Sequence, residues 1–314
     1  MILALGPMAG YTDAPFRSIV ASLGANYTVS EMVSAMGLLH ARADFEPYKH
    51  LLAIGKNENN LHAQIFGSKP YYMAEACRKI SDMGVFSGID INMGCPVKKI
   101  VNNGEGSALM KNPKLASEVV NACTKSTALP ISVKMRIGWD HENINAVEFA
   151  QAMQDSGANL LSVHGRTREQ MYSGTADWDT IALVKQKVNI PVIANGDVVD
   201  VSSAKAIIEH TKADGIMIAR AAVGNPWIFA NVGAFLYNKS YTEPSNKEKC
   251  LLVKSHIYAI SDFYGANRVI KISRSQIAHY FNRIGKSKHY KVALCQVKDI
   301  SELIKLVEDY YEEI

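Results

Sequence analysis

The side chains best suited to chemistry in this chain are one thiol, one lysine, one histidine and a few arginines, each just past an apolar run. Cys95 lies between Gly94 and Pro96, Lys134 stands two residues before Arg136, and His164 is followed by Gly165 and Arg166. An unperturbed thiol titrates near ~8.5, so Cys95 is mostly protonated at neutral pH and can act as a general acid. A lysine at such a position either stabilises negative charge on a bound ring or serves as a Schiff-base nucleophile. The other four cysteines, Cys77, Cys123, Cys250 and Cys295, fall within helical patterns and read as small hydrophobes. Cys95 instead opens a loop that runs through Asn102-Asn103-Gly104-Glu105-Gly106. Its two glycines lack the third of a dinucleotide fingerprint and read as a hinge.

These residues need a frame that gathers strand ends on one face. Short apolar, β-type runs recur at residues 2–5, 27–30, 62–66, 88–92, 131–135, 160–163, 191–194 and 215–219, with helical patterns between them. The repeat is βα, eight times, and most runs are continuously apolar, as parallel strands covered by helices should be. The fold class expected is α/β, a (β/α)8 barrel over residues 1–237; the strand count and the lack of an early GxGxxG disfavour a doubly wound open sheet. Pro244 followed by Ser245 and Glu248 reads as a break and a helix capping box. Residues 238–246 are therefore expected as a linker and 247–314 as a small all-helical domain.

The 314 residues, 48% hydrophobic and 20% charged, suit an ordinary globular chain and exclude a disordered one. An odd number of scattered cysteines without CxxC argues against a disulfide framework or a metal site and for a reducing compartment. With no span that favours a membrane, a cytoplasmic protein is expected, and no obligate protein partner is legible. The net charge of +4 is mild but unevenly placed: between Arg268 and Lys298 there are eight lysines and arginines and no acid. A solvated helix normally mixes signs, so this stretch points to a polyanion such as nucleic acid.

In a barrel of this kind the strand C-termini build the site. Pro7, Met8 and Ala9 follow the first strand, Gln64 ends the third, and Asn92 and Cys95 follow the fourth. Lys134 and Arg136 belong to the fifth, His164 and Arg166 to the sixth, Asn195, Gly196 and Asp197 to the seventh, and Ala219 and Arg220 to the eighth. Backbone N–H groups at Asn195-Gly196-Asp197, the charge of Arg220 and a helix start near Pro226 suit a phosphate. A phosphate-bearing ligand follows from this, and Lys134 could lie over a flavin ring if that ligand is one.

The segments Gly-Pro-Met-Ala-Gly-Tyr-Thr-Asp-Ala-Pro-Phe-Arg (6–17), Asp-Ile-Asn-Met-Gly-Cys-Pro-Val-Lys-Lys (90–99), Val-Lys-Met-Arg-Ile-Gly-Trp (133–139), Val-His-Gly-Arg-Thr-Arg (163–168) and Ala-Asn-Gly-Asp (194–197) resemble the tRNA-dihydrouridine synthase family, in particular its bacterial DusB-like branch. The match runs along the whole barrel in order. The resemblance implies an FMN-dependent enzyme that reduces the C5=C6 bond of particular uridines in tRNA. NADPH or NADH would reload the flavin, hydride would pass from the flavin to C6, and Cys95 would give a proton to C5. It implies flavin contacts from Pro7, Met8, Ala9, Gln64, Lys134 and His164, and phosphate-side contacts from Asn195, Gly196, Asp197, Ala219 and Arg220. The family often has glycine at the position of Ala219. Asn92, Arg136 and Arg166 are expected near the substrate, and Arg274, Lys286 and Lys288 on the tRNA-binding helices. There this chain keeps only Arg274 and Tyr280 of a longer family pattern.

Overall fold

The computed structural model describes residues 1–41, 46–283 and 287–314. Nine strands run along it: β1 (Ile2–Leu5), β2 (Thr28–Val29), β3 (Val33–Ser34), β4 (Leu61–Phe66), β5 (Gly88–Met93), β6 (Ile131–Arg136), β7 (Leu160–His164), β8 (Val192–Asn195) and β9 (Gly215–Ile218). All pairings between them are parallel, in the order β1-β9-β8-β7-β6-β5-β4-β2, with β3 also on β4. A bridge from Ala4 to Tyr27 closes the ring. The expected (β/α)8 barrel is therefore present, with β2 and β3 together filling one of its eight positions.

The apolar pattern predicts that second strand as one run over 27–30. It breaks instead because side chains replace the ladder. Ser30 Oγ accepts the Gln64 N–H (2.9 Å), and Glu31 turns its carboxylate to the Gly10 N–H. A second difference is alternation. In β6, Ile131, Val133 and Met135 pack outward into the main core while Ser132, Lys134 and Arg136 are the alternate residues; Asp90 and Asn92 in β5 and His62 and Gln64 in β4 follow the same period. The barrel lumen is thus polar toward β4–β7, and those strands are not the continuously apolar runs expected.

Inside it, Tyr27 Oη contacts His62 Nδ1 and Ser132 Oγ (3.2 Å each), Ser132 donates to Asp90 Oδ1 (2.7 Å), and Gln64 Nε2 donates to Asp90 Oδ2 (2.7 Å). Burial pushes the Asp90 carboxyl up and the His62 imidazole down to about 4, so charge is disfavoured on both. Such a network fixes side-chain positions beneath the mouth while leaving few buried polar atoms unpaired.

Beyond the barrel, Ser245 and Glu248 form the expected capping box of helix Asn246–Tyr264. Helices Ala266–Gln276, Ser287–Gln296 and Ile300–Glu313 complete the segment. Its buried residues, among them Val253, Ile257, Phe281, Leu303 and Tyr310, form a core separate from that of the barrel, to which the barrel side lends Trp227. Asp13 joins the two parts. It caps helix Ala14–Ser22 through the Phe16 N–H (3.0 Å) and accepts from Tyr264 Oη (3.1 Å) and Gln276 Nε2 (2.8 Å). The loop after β1, which carries Pro7–Ala9, is thereby tied to the helical segment. Among the described residues no helix is long and apolar enough to cross a membrane.

Candidate active site

Cys95 is half-buried at the end of β5, on a turn held from three sides. Asn92 Oδ1 accepts the Gly94 and Cys95 N–H groups (3.1 and 2.9 Å), Arg136 Nε donates to the Gly94 carbonyl (2.8 Å), and Ser107 donates twice to the Cys95 carbonyl (3.1 and 2.8 Å). Gly106, read as a hinge, is instead a close-approach residue. At φ +60° a Cβ there would stand 2.9 Å from the Cys95 carbonyl oxygen and 3.1 Å from Cys95 Cβ. Burial pushes the thiol up, outweighing the Val97 N–H and the nearby Arg136 and Lys134 charges, so the group stays a thiol at neutral pH.

Asn92 and Arg136 were both expected beside the substrate. In the structure their side chains serve the Cys95 turn. The Asn92 amide also donates to Gln64 Oε1 (2.9 Å), and Arg136 Nη1 donates to the carbonyls of Thr167 and Met171 (2.8 Å each). Arg136 is 2% exposed, which leaves little of it for a ligand. Arg166, also expected at the substrate, is equally buried. It donates to the Ser173 and Gly174 carbonyls and to both oxygens of Asp197 (2.8 Å each), because β7 delivers it beneath the following loop. Its Nη1 is buried and has no protein partner.

The expected cofactor residues do gather at one mouth. Lys134 Nζ lies 3.3 Å from Asn195 Oδ1, whose Nδ2 donates to the Met217 carbonyl (2.9 Å). Burial and Arg136 lower the lysine to about 8. Gly196 takes φ +136°, and a Cβ there would meet Ala176 at 2.6 Å, so only glycine lets the β8 loop pass the β7 loop so closely. Asp197 (φ +60°) holds Arg166 and, more loosely at 3.5 Å, Arg220. Gly6 faces Ala219 so closely that a Cβ on it would lie 3.0 Å from the Ala219 methyl. Pro7 and Met8 are half-buried and Ala9 exposed, with the Met8 N–H bound to Thr12 Oγ1 (2.9 Å). In the helical segment Arg274 is exposed and donates to the Val297 carbonyl (2.9 Å), Lys288 is exposed, and Lys286 lies outside the described residues.

This mouth suits an anion. His164 is pushed far below the usual imidazole range, first by burial and then by Lys134, Arg136, Arg166 and Arg220. A neutral histidine ringed by four cations, with Asp197 the acid paired among them, reports a positive field that a phosphate would balance. The loosely held, half-exposed Arg220 is an available donor, with Arg166 buried behind the Asp197 that both arginines share. Sequence reasoning missed Tyr172, on which two of these arginines stack; an aromatic in the loop after a barrel strand was its only signal.

A (β/α)8 barrel with a cation-rich mouth and a protected thiol defines a class of ligand-binding barrel, and the sequence places it more closely. The family model described as Dihydrouridine synthase (Dus) matches residues 2–314. The chain is 37% identical over 312 residues to tRNA-dihydrouridine synthase B of Pasteurella multocida, covering 99% of this chain and 92% of that protein. It is 40% identical over 278 residues to a probable tRNA-dihydrouridine synthase of Rhodobacter capsulatus, covering 88% and 85%. This chain belongs to the dihydrouridine synthase family. Among solved structures, a histamine dehydrogenase from Rhizobium sp. 4-9 superposes with a TM-score of 0.58 at 12% identity, over 82% of this chain and 48% of that one. A 2-naphthoyl-CoA reductase gives 0.58 at 12%, over 76% and 50%. The chain spans about half of each, and these two share its fold.

Proposed function

We propose that the protein is an FMN-dependent tRNA-dihydrouridine synthase, reducing the C5=C6 bond of particular uridines in cytoplasmic tRNA at the expense of NADPH or NADH. The observation that carries the reading is Cys95: a thiol kept protonated by burial, on a rigid turn beside a cationic mouth, in a chain of this family. Bound FMN would supply the hydride for C6 that no side chain can offer, and the nicotinamide cofactor would restore it.

The chain's own residues do the rest. Lys134 would offset negative charge on the ring and the backbone of Pro7–Ala9 would offer it contacts, while Gln64, its amide paired with Asp90 and Asn92, would support the site from beneath. The N–H groups around Gly196, with the exposed Arg220, would take the phosphate; the Asp197 carboxylate orients Arg220 and Arg166 and is not itself a phosphate contact. Cys95 gives its proton to C5 as charge develops there, and Asn92 and Arg136 hold the turn that aims it. The uridine must leave its stack to reach this depth. The acid-free helical stretch with Arg274 and Lys288 offers charge to the RNA backbone.

Purified protein given tRNA and NADPH should form dihydrouridine, and tRNA from cells lacking the gene should miss it at defined positions. Reduction of free uracil or orotate with tRNA untouched would replace this reading with a free-pyrimidine flavin enzyme.

Flavin retention provides a separate expectation. Arg220→Ala and Lys134→Ala should each purify with less FMN than wild type, since each removes a charge-assisted contact. Because the lysine titrates near 8 in the free protein, FMN affinity should fall as pH rises through that value, when its charge is lost. A pH-independent affinity in wild type, or full occupancy in both variants, would put the cofactor elsewhere.

A further inference from the structure

The loop after β7 is held in an unusual way. Buried or half-exposed guanidinium groups are normally expected on acids or ligands, yet here they bind main-chain oxygens. Arg136 takes the carbonyls of Thr167 and Met171, Arg166 those of Ser173 and Gly174, and Arg220 reaches that of Tyr172 at 3.5 Å. Met171 adopts φ +51°, a left-handed conformation that a non-glycine residue takes at a cost. Three arginines and a strained residue together fix one feature, the Tyr172 ring. It is 53% exposed, with Arg136 at 5.7 Å and Arg220 at 5.4 Å from its centre. Both cations therefore stack on the ring and hold its orientation.

The two arginines also say where the ring is. Arg136 binds Gly94, next to Cys95, and Arg220 shares Asp197 with Arg166. Tyr172 is thus an exposed ring that links, through Arg136 and Arg220, the turn of Cys95 to the loop of Asp197. A base drawn in to Cys95 leaves a gap in the RNA stack, and opening that gap costs stacking energy. An exposed aromatic ring held by two cations is suited to replace the lost stacking partner.

We propose that Tyr172 is a substrate-binding residue that stacks on a nucleobase adjacent to the extruded uridine. This rests on the proposed function and deepens it. The ring supplies a π-face of no sequence preference, so it grips RNA whichever base flanks the target. It touches neither C5 nor C6, and its contribution is the same in the ground state and the transition state. Removing it should therefore raise KM and leave kcat near wild type.

The test is single-turnover reduction of tRNA by pre-reduced enzyme across a range of tRNA concentrations, with Tyr172→Ala, Tyr172→Leu and Tyr172→Trp. Stacking on aromatic side chains predicts a half-saturating tRNA concentration about 5- to 100-fold higher for Tyr172→Ala. Tyr172→Leu should be equally impaired, because bulk without a π-face does not substitute, and Tyr172→Trp should restore wild-type values. A fall in the saturated rate with unchanged half-saturation would overturn the proposal, since it would mean that the ring only braces Arg136 and the Cys95 turn. Wild-type behaviour of Tyr172→Leu would overturn it as well. A wild-type enzyme that reduces no tRNA at any concentration is a different failure and removes the functional reading itself.

Discussion

Cys95→Ala should keep its flavin and bind tRNA, yet reduce uridine about 10²–10⁴-fold more slowly, the usual range for a lost general acid. The reasons are geometric and electrostatic. The turn that carries the thiol is fixed through its backbone, by Asn92, Arg136 and Ser107. Removing Sγ therefore deletes the acid without releasing the turn. Burial is the largest influence on the thiol and keeps its proton in place. The rate should accordingly be flat through neutral pH and fall only on the alkaline side, as the acid form is lost above the ordinary thiol range. Cys95→Ser should recover little, because a hydroxyl is a far weaker acid. Cys295→Ser, at an exposed position on helix Ser287–Gln296, should match wild type. Pre-reduced enzyme mixed with tRNA isolates this step, and a wild-type rate from Cys95→Ala would return Cys95 to a packing role.

How much of this was legible in the sequence depended on whether local pattern or tertiary placement decided it. The barrel was legible because parallel strands must be buried, and buried strands separated by helices leave apolar runs at regular intervals. The mouth was legible for the same reason, since strand ends of one direction meet on one face. The break after Val29 was not, because Ser30 and Glu31 act through side chains whose partners, Gln64 and Gly10, are remote in sequence. Nor could residue type reveal what the arginines do. A guanidinium near a ligand site and one beneath a loop look alike in sequence, and Arg136 and Arg166 turned out to bind carbonyls. The Ser132-Lys134-Arg136 alternation was visible all along and did carry information: it marks the inward face of β6.

The largest stability effect should come from a pair that the chemistry does not use. Arg17 and Glu58 have fully buried side chains, with Nε and Oε1 at 2.8 Å. Arg17 also donates to the carbonyls of Thr12 (2.8 Å) and Ala53 (2.6 Å), and Glu58 accepts from Thr28 Oγ1 (2.6 Å) and the Gly55 N–H. The pair therefore pins together helix Ala14–Ser22, β2, the segment before β4 and the end of the loop that carries Pro7–Ala9. Glu58→Ala leaves a guanidinium buried without its counter-charge, and breaking such a pair typically costs about 3–5 kcal/mol. Urea unfolding should show a loss of that size, and FMN should be released at lower denaturant as the β1 loop slackens. Arg17→Met alone should also destabilise, since it strands the carboxylate and two carbonyls. If the uncompensated charge is the cause, the double variant Arg17→Met with Glu58→Leu should lose less than the two single losses combined, because neither charge then remains. Strict additivity would instead assign the stabilisation to the separate hydrogen bonds each side chain makes to the backbone.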